Sequence, residues 1–137
     1  MIQIPKIVLT GGVQGGKSTS LRAIAKQFGK LVTRVPEVAT ILLGNGFPEP
    51  GKDVEWSEEW QAAFQTAVLP LQIAMEDAYT LVALARGSKL IACDRGLLDG
   101  AAFTPGGQEE FCRRYGIVLS VAMARYVAVL HLESIST

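Results

Sequence analysis

The sequence is poor in the side chains that most often build metal and redox sites, with two cysteines and one histidine in 137 residues. Cys93 and Cys112 lack the Cys-x-x-Cys spacing of a zinc or dithiol site. Cys93 falls in an apolar run and reads as a small core residue, which fits a reducing compartment. His131 lies late in another apolar run and reads as a core or edge residue rather than a catalytic one. Charge of one sign is also missing: 13 Lys plus Arg balance 13 Asp plus Glu. Without a basic run, no nucleic-acid surface is expected. No apolar stretch reaches the ~18 residues of a membrane span; the longest, 117–132, is broken by Ser120 and Arg125. The N-terminus leads straight into a strand-like segment, leaving no room for a signal peptide, so a cytoplasmic location is expected. Repeats and low-complexity tracts are absent, and the length fits one domain over 1–137.

What is present is concentrated near the N-terminus. Residues 5–19 read as an apolar strand running into Gly-x-x-x-x-Gly-Lys-Ser, the Walker A phosphate-binding loop. Gly11, Gly12, Val13, Gln14, Gly15 and Gly16 form the loop, whose glycines let backbone N–H groups turn inward around phosphate oxygens. Lys17 is placed to reach the β- and γ-phosphates, and the Ser18 hydroxyl, followed by Thr19, to ligate Mg²⁺. Both flanks agree. Ile7, Val8 and Leu9 suit a buried parallel strand, while Leu21, Ile24, Ala25 and Phe28 fall at helical spacing before a stop at Gly29.

Strands are expected at 5–10, 31–35, 89–94 and 126–132, alternating with helices, which predicts a parallel sheet covered on both faces. Residues 44–56 hold Gly44, Gly46, Pro48, Pro50 and Gly51 and read as a loop. Ser57 is then an N-cap, with Glu58 and Glu59 in the first turn. Trp60, Phe64, Val68, Leu71, Met75, Ala78 and Val82 recur every three or four residues, which predicts a long amphipathic helix closed by Arg86 and Gly87. Pro70 is expected to kink or split it. Trp56 and Trp60 are four apart and read either as core or as lining for an acceptor pocket. A second loop covers 95–107, with shorter helices at 108–115 and 117–125.

The third strand ends in Asp94-Arg95. In open α/β sheets ligands bind beyond the carboxyl ends of strands. A carboxylate there can hold Mg²⁺ or its water, and the guanidinium suits phosphate oxygens. The competing reading makes Asp94 a helix cap and Arg95 a surface charge. Asp99, in the loop beyond, is the weaker candidate. Glu37 ends the second strand and either orients an acceptor hydroxyl or simply favours the next helix N-terminus.

With Thr10–Thr19, Val35–Ala39, Asp94–Ala102 and Val129–Ser134 taken together, the chain resembles the AAA-type P-loop domain of NadR-like proteins and their relatives, close to nucleoside and nucleotide kinases. Asp94-Arg95 is similar to the Asp-Arg pair of thymidylate kinases. The resemblance implies a three-layer α/β/α P-loop NTPase fold. It implies ATP, or GTP in some members, on Gly16, Lys17, Ser18 and Thr19, with Mg²⁺ on Ser18 and Asp94. It gives Arg95 a phosphate role and turns Glu37 toward the acceptor. No Asn-Lys-x-Asp guanine signature occurs, which tilts the choice to ATP. Relatives continue into an arginine-bearing lid and a fifth strand. Here the sequence ends at Thr137, so the expected order is 2-3-1-4, and the chain reads as C-terminally truncated. Its unfinished apolar edge predicts self-association. The function expected is transfer of the γ-phosphoryl group to a small hydroxylated acceptor such as a nucleoside or nucleotide, with Lys17, Asp94, Arg95 and Glu37 carrying the chemistry. The alternative is a nucleotide-dependent binding switch whose loops answer to the γ-phosphate.

Overall fold

Strand β1 (Lys6–Gly11) is the centre on which the chain assembles, pairing in parallel with β3 (Leu90–Asp94) on one side and β4 (Ala128–Leu132) on the other. Strand β2 (Val32–Val35) pairs in parallel with β3, so the described strands run β2-β3-β1-β4, the order expected for a P-loop NTPase. The computed structural model describes residues 3–11 and 17–132, the side chains of 17 and 18 excepted.

Pleating sends alternate residues of each strand to opposite faces. Leu9 and Ala92 face α1 (Lys17–Phe28) and pack with Leu21 and Val32. Val8, Ile91 and Cys93 face the other way, with Val35, and meet Ala83, Met75 and Tyr79 of α3 (Glu58–Arg86). That sandwich gives the three layers. Phe28, read as part of the apolar stripe of α1, is 46% exposed instead. It sits in the last turn, where the chain leaves the sheet through the short 3-10 turn Gly29–Leu31. The helices α2 (Val38–Gly44), α4 (Gly107–Tyr115) and α5 (Leu119–Ala124) complete the described elements. Phe111 of α4 and Ala122 of α5 pack with Leu69 and Leu97.

The caps of α3 follow from its sequence. Ser57 Oγ accepts a 3.0 Å hydrogen bond from Trp60 N, and Gly87 closes the helix in the left-handed region. The helix runs unbroken through Pro70, correcting the expectation of a split. One backbone hydrogen bond is lost there, while Leu69 and Gln72 on either side stay buried and hold the helix in place.

A larger correction concerns which face of α3 is buried. The apolar periodicity places Ala78 and Val82 inward, yet both are exposed. The buried set instead includes Gln61, Gln65, Gln72 and Glu76. Glu76 is sealed from solvent because it is fully supplied with partners. Lys6 Nζ lies 3.3 Å away, Arg125 Nη2 3.0 Å, Tyr126 OH 2.7 Å and Gln72 Nε2 2.7 Å. By length and composition α3 is apolar enough to cross a membrane, which the run-by-run reading of the sequence did not register. Buried Gln72 and Glu76, satisfied by the sheet and by α5, are the pattern of a helix packed within a domain.

Candidate functional site

The site grows from the carboxyl ends of β1, β2 and β3. Strand β1 ends at Gly11, whose φ of +141° and tight packing admit no side chain: a Cβ there would stand 2.3 Å from Leu132 O. Gly12, Val13, Gln14, Gly15 and Gly16 lie outside the described residues, as do the side chains of Lys17 and Ser18. The backbone of Lys17 opens α1, with Thr19 exposed in its first turn. The first turn of α1 has no acidic residue, so no carboxylate of the helix itself offsets its positive end.

Asp94 ends β3 in register with Leu9 of β1 and is 7% exposed. The next residue, Arg95, is the one non-glycine at positive φ among the described residues, at +71°. That strained turn is fixed by hydrogen bonds on both sides of the residue. Arg95 N donates to Leu9 O at 2.9 Å, and Gln72 Nε2 donates to Arg95 O at 3.4 Å. The turn aims the guanidinium at two carboxylates, with Nε 3.4 Å from Glu37 Oε2 and Nη1 3.2 Å from Asp99 Oδ2.

Arg95 is therefore not a surface charge. Glu37 occupies the N-cap position of α2 without a side-chain capping bond; its carboxylate turns to Arg95 instead. No helix starts near residue 96 for Asp94 to cap: the 3-10 turn that follows, Asp99–Phe103, has Leu98 at its N-cap, and Gly96 N donates instead to Asp99 Oδ1 at 2.9 Å. Asp99 Oδ2 also accepts from Thr10 Oγ1 at 2.6 Å, tying the third-strand loop to the strand that enters the P-loop. Asp99, the weaker candidate by sequence, is thus the residue through which three segments meet.

Beside this cluster lies a cavity of about 320 Å³ between α3, the start of α2 and the 3-10 turn Asp99–Phe103. Glu37, Arg95 and Asp99 form one wall, and Trp60, Phe64 and Gln65 another. Trp60 and Phe64 stack at 4.8 Å with a 16° tilt, and Phe47 packs edge-on to Phe64 at 5.3 Å. Trp56 lies before the helix rather than on it, is 52% exposed and donates from Nε1 to Gln61 Oε1 at 3.4 Å. Both tryptophans line the cavity and neither is buried in the core, but they do not share a helix face, because Trp56 precedes α3. Gln61, Gln65 and Gln72 were not singled out from sequence. Their signal was a polar stripe at i, i+4 and i+11 on one helix face.

Behind the site, Tyr126 OH accepts from Leu97 N at 3.0 Å while donating to Glu76. Burial, reinforced by the Glu76 carboxylate, raises the Tyr126 phenol and keeps it a donor. The same two causes push the Cys93 thiol up to about 12, so this buried sulfur is inert at neutral pH. The 95–97 turn is thus fastened by Gln72 and Tyr126, both anchored on Glu76. His131 lies exposed on β4, the edge strand of the described sheet, with Val129 and Leu130 exposed beside it. Glu133 lies outside the described residues.

A family model described as an AAA domain matches residues 6–135, nearly the whole chain, and the chain belongs to that family. It is a nucleotide-binding P-loop domain of the AAA type. No curated protein matches the chain.

Proposed function

We propose that this AAA-domain chain is a magnesium-dependent phosphotransferase that moves the γ-phosphoryl group of ATP to a hydroxyl of a small acceptor held in the α3 cavity. The reading sides with the nucleoside- and nucleotide-kinase relatives of the NadR-like group. One observation carries it: a cavity of acceptor size opens beside Glu37, Arg95 and Asp99, at the same strand ends from which the P-loop departs. A simple hydrolytic switch has no need of such a cavity.

The donor set fits nucleotide and metal. It has the Walker A backbone, Lys17 for phosphate, and the Ser18 hydroxyl with the buried Asp94 carboxylate for Mg²⁺. Bound MgATP supplies an electrophilic phosphoryl group already partly neutralised by the metal. Glu37 orients the acceptor hydroxyl and receives its proton. The acceptor O–P bond forms as the bond from the γ-phosphorus to the bridging oxygen breaks, and ADP leaves. Arg95 offers the charge that steadies the transferring group. Its anchorage to Glu37 and Asp99 means that the guanidinium is already positioned before substrates bind.

The test is a screen of small hydroxylated compounds with MgATP, reading ADP release and the phosphorylated product. Acceptor-dependent ADP release with stoichiometric product supports the reading. Nucleotide-dependent capture of a partner protein, with no acceptor raising ADP release, would replace it with the switch.

A further inference from the structure

Glu76, fully buried on α3, divides its two carboxylate oxygens between two sets of partners. Oε1 takes the cations: Lys6 Nζ lies 3.3 Å away, Arg125 Nε 3.2 Å and Arg125 Nη2 3.0 Å. Oε2 takes two neutral donors, Gln72 Nε2 and Tyr126 OH, each at 2.7 Å. Those two side chains reach on to the turn that follows β3. Gln72 Nε2 also donates to Arg95 O at 3.4 Å, and Tyr126 OH accepts from Leu97 N at 3.0 Å. Two successive peptide groups after Arg95 are thus gripped from one carboxylate oxygen. The turn is packed as well as bonded. A Cβ on Gly96 would stand 2.8 Å from Val8 Cγ2 and 3.4 Å from Tyr126 Cζ.

We infer that Glu76 is a positioning residue for Arg95: through Gln72 and Tyr126 it holds the backbone turn that aims the guanidinium. The inference rests on Arg95 serving the phosphoryl transfer proposed above. A buried ion pair alone is weak evidence for stability, because apolar side chains of similar volume often serve as well. An apolar cluster could fill the space around Glu76, but it could not hold a carbonyl and an N–H of the turn. Arg95 needs such holding. Its φ of +71° is one that a residue with a Cβ keeps only where its surroundings over-determine it.

The residue is fixed at both ends. Glu37 and Asp99 meet the guanidinium at its tip, whereas Leu9 O and the Glu76 pair fix the backbone from which it extends. A turn displaced by about 1 Å would carry the guanidinium off a transferring phosphoryl group, a misplacement worth roughly 100-fold in rate. Gln72 also lines the cavity, so its loss could act on an acceptor directly. Tyr126 does not line the cavity and provides the cleaner test.

Tyr126→Phe removes one hydroxyl and keeps the ring. The first measurement is the Arg95 Nε–H resonance of the full chain, identified by its loss in Arg95→Ala, with no nucleotide or acceptor present. In Tyr126→Phe it should shift, and its hydrogen exchange should quicken roughly tenfold or more, with an unchanged circular dichroism spectrum. The second is acceptor-dependent ADP release. Here kcat should fall roughly 10–100-fold, with KM for MgATP and for the acceptor within about threefold of wild type. In an Arg95→Ala background the same change should cost less than about threefold in kcat, because the residue it acts through is gone. Gln72→Met, of similar length, should move the resonance in the same way and serves if Tyr126→Phe fails to fold. An unmoved Arg95 resonance in the folded variant would overturn the inference. So would a kcat loss of equal size with and without Arg95, which would place the effect of Tyr126 elsewhere. A moved resonance with unchanged kcat would remove Arg95 from the transfer and leave the grip of Glu76 standing. Absence of acceptor-dependent ADP release in the wild type would overturn the phosphotransfer reading, and the resonance alone would then decide the inference.

Discussion

Arg95 Nε lies 3.4 Å from Glu37 Oε2, joining the carboxyl end of β3 to that of β2 across the mouth of the cavity. The pair brings together two residues that the sequence offers separately, one as a phosphate ligand and one as an acceptor group. Both residues line the cavity, and the guanidinium is shared with Asp99.

Glu37→Gln keeps the shape of the side chain but removes its basicity. Acceptor phosphorylation should fall by roughly 10²–10⁴ in kcat, the usual contribution of a positioned base. Triphosphate affinity, measured by calorimetry, should stay within a few-fold of wild type. A matching loss of nucleotide binding would place Glu37 in the nucleotide site rather than at the acceptor.

Asp94→Asn should weaken magnesium-dependent nucleotide binding more than magnesium-free binding. The amide retains the size and one acceptor oxygen of a residue only 7% exposed, so the fold should persist. Parallel titrations in Mg²⁺ and in EDTA separate the cases. Equal loss in both would remove Asp94 from the metal role.

The strands, the Ser57 and Gly87 caps and the P-loop are written in local signals: β-branched runs, a hydroxyl before two glutamates, glycines at fixed spacing. The buried face of α3 is not. Its apolar rhythm points to Ala78 and Val82, while the side that is buried carries Gln61, Gln65, Gln72 and Glu76. That burial depends on Lys6, Arg125 and Tyr126, which lie 70, 49 and 50 residues from Glu76 in the chain. No local pattern encodes partners so distant. Asp99 was undervalued for the same reason: its worth lies in Thr10, 89 residues away.

Glu76→Ala should therefore be among the most destabilising single changes outside the nucleotide site. It would leave Lys6, Arg125 and the Tyr126 hydroxyl without their common acceptor, at a cost of about 3–5 kcal/mol. Urea unfolding reads the loss. A change below about 1 kcal/mol would mean that the network contributes little beyond an apolar core.

The two thiols should differ. Cys112 is half-buried, whereas Cys93 is sealed in the sheet with its thiol pushed up to about 12. Labelling the native protein at pH 8 should modify Cys112 alone, and urea should expose the second thiol. Stability should also depend on alkaline pH. The unfolded thiol ionises near 9.0 and the folded one near 12, so this stabilisation is complete below 9.0 and is lost as pH climbs through that interval. The raised Tyr126 phenol acts with the same sign. A urea midpoint unchanged above pH 9, or rapid native labelling of both thiols, would contradict this assignment.

The central claim is a working P-loop nucleotide site, and calorimetric titration of the 137-residue chain with ATP and GTP, with and without Mg²⁺, tests it most directly. Magnesium-dependent binding is expected in the wild type. Lys17→Ala should lose most triphosphate affinity while its circular dichroism spectrum stays unchanged. Unchanged affinity in a folded Lys17→Ala variant, or no binding by the folded wild-type chain, would contradict the account.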